Sequence, residues 1–212
     1  MGAALALVLG TAVSGAAQET AAPLPQPNEQ RTAETVKFLA GGGVAFLEHE
    51  ADHLLFDAIF DAHPYFKTIH FGAVPFFAVA HQPISPRREF VVSSAGFWTQ
   101  MATSEWLLTT HPNLRGRHAP FEKGAFAFDV LTSVGYGTVA MFKAGPLERD
   151  TRGMADSIGV DERVVGAIVM APALLDAYRY FNPESRWAVW TSRLVKIGSV
   201  ALVLKRTSSD HQ

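Results

Sequence analysis

His49-Glu50-Ala51-Asp52-His53 is the segment whose residue types and spacing together specify a reaction. Histidines four apart stand one turn apart on the same face of a helix, so one nitrogen of each can reach a single Zn²⁺ at about 2.0–2.1 Å. Glu50, next to the first of them, is then placed to reach a water rather than the metal. Zinc makes such a water acidic enough to lose its proton near neutral pH. Glu50 would take that proton and later hand it to a leaving amine, which is peptide hydrolysis. With eight histidines in 212 residues, a match of this form arises by chance in roughly one or two chains in a hundred. The same stretch carries Glu48, Asp57 and Asp61 among Phe46, Leu47, Leu54, Leu55 and Phe60. That many carboxylates in apolar surroundings call for a compensating cation.

An open zinc site needs a third protein ligand. Phe56 occupies the position of the glycine in the extended H-E-x-x-H-x-x-G-x-x-H pattern, which excludes the metzincin arrangement. The expected third ligands are carboxylates on other apolar segments, Asp176 or Asp129, each expensive there if unpaired. Asp57, one turn beyond His53, and Glu48 are expected as outer partners that fix the histidine rings. Glu148-Arg149-Asp150-Thr151-Arg152 reads as a solvated connector with local ion pairs. His63, His70 and His81 bring the count to five histidines between positions 49 and 81, which leaves a second metal or a histidine-ligated iron oxidoreductase as an alternative. His111 and His118, beside prolines, read as loop residues. Gln100 and Glu105 share a helix face suited to interhelical hydrogen bonds.

These side chains must be positioned by an apolar chain. Hydrophobic residues make up 48% and charged residues 18%, with a net charge of -2, a balance that excludes a basic nucleic-acid binder. The absence of cysteine excludes thiolate ligands and a cysteine nucleophile. Residues 1–18 form an apolar run ending in small residues, expected to be a signal peptide or N-terminal anchor. Residues 19–34 read as a flexible linker, 35–206 as a membrane-embedded domain and 207–212 as a polar tail.

Within the domain the pattern predicts a helix over 35–62, bent or broken at Gly41-Gly42-Gly43, and a strand-like or re-entrant stretch from Lys67 to Gln82. Four apolar segments follow, Phe90 to Thr110, Ala125 to Phe142, Val164 to Tyr180 and Trp187 to Leu204, each near the roughly 17 to 25 residues that span a bilayer. Trp98, Trp106, Tyr136, Tyr180, Trp187 and Trp190 lie mostly towards their ends, as interface aromatics do. The expectation is an all-α membrane protein, a multi-pass helical bundle with a short β-hairpin or re-entrant segment after the first core helix. A soluble bundle is the competing class.

The order of these features resembles the site-two protease family of intramembrane zinc metalloproteases. The resemblance is carried by His49 to His53, the Lys67 to Gln82 stretch, the Ala95-Gly96 pair that follows Ser94, and Leu174-Leu175-Asp176 with Pro172 upstream. It marks a divergent member, since Asp52, Phe97 and Ala177 stand where the family usually has glycine, proline and glycine. The resemblance implies Asp176 as third zinc ligand ahead of Asp129, and Glu50 as catalytic base. It also implies a membrane-protein or peptide substrate drawn from the bilayer, and a location in a bacterial inner membrane. The alternative is a non-enzymatic multi-pass membrane protein whose H-E-x-x-H is coincidental or structural.

Overall fold

The structure, a computed structural model, describes residues 27–71 and 73–209. The expected signal or anchor over 1–18, positions 19–26 of the expected linker and positions 210–212 of the expected tail lie outside the described residues. The described residues form α1 (Pro27–Phe60), an antiparallel hairpin of β1 (Tyr65–Phe71) and β2 (Val74–Ala80), α2 (Pro86–Thr110), α3 (Pro120–Phe142), α4 (Asp150–Ile158), α5 (Glu162–Phe181) and α6 (Arg186–Ser209), with a 3₁₀ turn at Leu114–Gly116. α3 packs between α1 and α5; α2 lies against α1 and α4, and α6 against α5.

The helix starts follow local chemistry. Pro86 and Pro120 stand in the first turns of α2 and α3, where a missing N–H costs nothing. Asp161 caps α5 by accepting from the Arg163 N–H. α4 buries Thr151, Met154 and Ala155, spaced three and four apart, so one stripe of this short helix faces the core.

Two expectations are corrected here. The triple glycine does not break the first helix, because α1 runs unbroken through it. Gly41 and Gly124 let α1 and α3 touch backbone to backbone: a Cβ at Gly41 would stand 1.9 Å from the Phe121 carbonyl oxygen, and one at Gly124 1.8 Å from that of Phe38. The supposed solvated connector at 148–152 opens α4, with Arg149 and Thr151 buried. Arg149 forks onto Glu162 through Nε and Nη2, both at 2.6 Å, and Thr151 donates to the same carboxylate at 3.0 Å. The expected strand-like stretch is the β1–β2 hairpin, with Tyr65 opposite Ala80 and Phe71 opposite Val74.

The interior is unusually polar. Phe90, Phe97, Met154, Val165 and Val169 form one apolar cluster, and Leu107, Leu108, Leu114 and Phe126 another. Between the helices Ser104 donates to Asp129 and Ser133 to Gln100. Glu105 accepts from Arg179, Arg193 and Lys196, and Asp176 pairs with Arg179, Lys196 and Ser192. The exterior is apolar by comparison: Leu131 and Phe142 are 70% and 78% exposed, and Leu39, Leu47, Ile59, Leu194 and Ile197 are likewise exposed.

α3 and α5 are the two helices, among the described residues, long and apolar enough to cross a membrane. α1, α2 and α6 carry more charge than a clean span tolerates, notably Glu48, Glu50, Asp52 and Asp57 on α1 and Arg186, Arg193 and Lys196 on α6.

Candidate metal centre

His49 and His53 lie one turn apart on α1 and point inward, and both are buried. Their Nε2 atoms stand 3.2 Å apart. Asp150, the first residue of α4, brings Oδ2 to 3.3 Å from His49 Nε2 and 3.6 Å from His53 Nε2. Burial works against the Asp150 charge, yet the neighbouring His53 and His49 rings outweigh it and hold the carboxyl well below the usual carboxylate range. The three atoms form a triangle, and its edges are close to the separation of about 3.3 Å that a tetrahedral ion demands of ligands near 2.0–2.1 Å.

The shell around the triangle supports that fit at His53, whereas His49 Nδ1 is buried without a hydrogen-bond partner among the described residues. His53 donates from Nδ1 to the Val92 carbonyl at 2.8 Å, so that, in the neutral ring a metal would require, the Nε2 lone pair faces the other two ligand atoms. The Tyr136 ring lies beside the His49 ring, with centroids 6.2 Å apart, and its hydroxyl is close enough to Asp150 to feel that charge. Phe97 packs edge-on against both His49 and Tyr136, with centroids 5.6 and 5.2 Å away. Gly96 is required by the His49 ring, since a Cβ there would stand 2.3 Å from Nδ1. His49, His53 and Asp150 could therefore hold a metal ion, and they are the group of that kind among the described residues.

No family model, no curated protein and no solved structure matches the chain. The chemistry of the site thus rests on its own geometry.

The structure distributes the expected site residues as follows. His49, His53 and Glu50 are together, and the Glu50 carboxyl feels the charges of both histidines and Asp150. Asp176 and Asp129 are not in the metal-sized group. Asp176 is held by Lys196 Nζ at 2.7 Å and by Arg179 and Ser192, and Asp129 accepts from Ser104 at 3.2 Å. The position expected for either is filled by Asp150. Glu48 is exposed. Asp57 does not orient a histidine, a task the Val92 carbonyl performs; it is fully buried, and neither carboxylate oxygen has a hydrogen-bond partner.

His63 and His70 are exposed, whereas His81 pairs with Glu89 at 3.3 Å. His118 pairs with Glu34 on the surface. Tyr136, expected near a membrane interface, instead lies beside the metal-sized triangle.

Proposed function

We propose that the chain is a membrane-embedded, zinc-dependent peptidase, a divergent relative of the site-two proteases, acting on a membrane-protein or peptide substrate. The observation that carries this reading is the His49–His53–Asp150 triangle, with edges of 3.2 to 3.6 Å, beside the carboxyl of Glu50. A zinc ion bound there would supply Lewis acidity for a scissile carbonyl and for the attacking water. His49, His53 and Asp150 would hold it. Glu50 accepts the proton of the attacking water and returns it to the leaving amine nitrogen. The Val92 carbonyl keeps the His53 ring aimed at the triangle.

Embedding in a bilayer, with more than the two apolar helices inserted, is supported by the reversal of polarity between interior and exterior. Buried charges pair with one another, as Asp176 does with Lys196 and Arg179, while exposed leucine, isoleucine and phenylalanine side chains face outward. Two histidines and one aspartate are also the donor set of non-haem iron oxygenases. Glu50, adjacent to the ligands and outside the triangle, favours hydrolysis, because a base beside the ligands has no task in that iron chemistry.

The test is paired. Glu50→Gln should keep stoichiometric zinc and lose cleavage of a membrane-peptide library, whereas His53→Ala should lose both. Iron in place of zinc in the purified protein would transfer the site to the oxygenase reading.

A further inference from the structure

Beside the metal-sized triangle lies a cavity of about 230 Å³ between α1, α2, β2 and the start of α4. Its wall includes His53, Asp57, His81, Glu89 and Asp150. Most of the other charged groups around it are already matched: Arg149 is forked onto Glu162, Glu148 is bridged to Lys67, and Asp150 faces the histidines. Asp57 is the exception. Its side chain is 0% exposed, and no donor among the described residues reaches either oxygen. A buried carboxylate left in this state is costly, and chains keep one where something else compensates it.

Across the cavity His81 places Nδ1 2.9 Å from the Gln82 carbonyl and Nε2 3.3 Å from Glu89 Oε2, and Ser93 donates to Glu89 Oε1 at 2.9 Å. Glu89 therefore has a partner at each oxygen, and Asp57 is the wall carboxylate left without one among the described residues. Asp57, His81 and Glu89 do not close into a group tight enough for a single metal ion. Hydrogen-bond donors spread over an ammonium or a guanidinium suit the wider spacing of the Asp57 and Glu89 carboxylates.

We infer that this cavity is a subsite for the basic side chain, lysine or arginine, of a peptide substrate. The inference rests on the peptidase reading and gives it a substrate class. Asp57 follows His53 by four residues, about 6 Å along α1. A residue whose three or four methylenes run down the cavity to Asp57 and Glu89 therefore leaves its own peptide carbonyl near the triangle. Cleavage beside a basic residue follows.

The test is a binding measurement on the detergent-purified, zinc-loaded full chain, with Nα-acetyl-arginine amide against its neutral isostere, Nα-acetyl-citrulline amide. Wild type should bind the arginine compound at least tenfold more tightly. Asp57→Asn should erase most of that preference with zinc content unchanged, and Glu89→Gln, which leaves α1 untouched, should weaken it in the same direction. Equal binding of the two amides by wild type, or a preference undiminished in both variants, overturns the subsite. If the arginine preference stands but no peptide is cleaved, the subsite is upheld and the peptidase reading falls. If peptides are cleaved with no enrichment of lysine or arginine beside the bond, the peptidase reading is upheld and the subsite falls.

Discussion

Among the described residues Asp150 supplies the one carboxylate oxygen within reach of both Nε2 atoms, so in the proposed centre its loss removes a ligand rather than a neighbour. Asp150→Ala should abolish stoichiometric metal, while Asp176→Asn and Asp129→Asn should retain it; metal analysis of the three purified variants checks this. Tyr136→Phe deletes only the hydroxyl beside Asp150 and should weaken metal affinity by about 10- to 100-fold, the range for outer groups that support a ligand. A competition titration with a chelating dye would measure it.

At this scale the sequence was half legible. His49, Glu50 and His53 announce themselves because a helix converts spacing into proximity. Asp150 lies 101 residues from His49 in a run of mixed charge, and no local pattern separates it from an ordinary surface acid. The position of Gly96, in the Ala-Gly pair behind the family resemblance, did carry a signal, since the backbone of α2 must pass close to the His49 ring.

Short α4 owes its place to the Arg149–Glu162 fork and to the stripe Thr151, Met154 and Ala155. Arg149→Met strands the Glu162 carboxylate in a buried setting, which should cost about 3–5 kcal/mol and loosen the element that delivers Asp150. The double variant Arg149→Met with Glu162→Met removes both charges and should recover much of the loss. Thermal unfolding in detergent and metal content, read on both variants, decide between an anchoring role and none.

The elements themselves were mostly legible from apolar segments and from prolines at Pro86 and Pro120. The run Gly41-Gly42-Gly43 misled because propensity for breaking a helix is a weak local term, outweighed where Gly41 and Gly124 let α1 and α3 meet. Gly124→Leu should consequently separate these helices, and proteolysis within α1 should become faster by an order of magnitude or more.

On the scale of the whole chain, leucines and phenylalanines point outward while the Glu105–Arg179–Asp176–Lys196 network is held between helices, an arrangement suited to apolar surroundings. The chain should remain with membranes through an alkaline carbonate wash and come away only in detergent. Recovery of most of it in the carbonate supernatant would refute bilayer embedding and leave the metal centre in place. Segment lengths made the helical bundle legible, whereas the ion pairs that make α6 tolerable against α2 and α5 depend on residues as distant as Glu105 and Lys196. No periodicity records such partners.

The most direct test of the account is the metal content, by mass spectrometry, of the intact chain purified in detergent without chelators, measured beside Asp150→Ala. One zinc per wild-type chain, with less than a tenth of that in the variant, is the result predicted by the His49–His53–Asp150 centre. Equal metal in the two proteins would contradict Asp150 as a ligand, and no metal in either would remove the centre altogether.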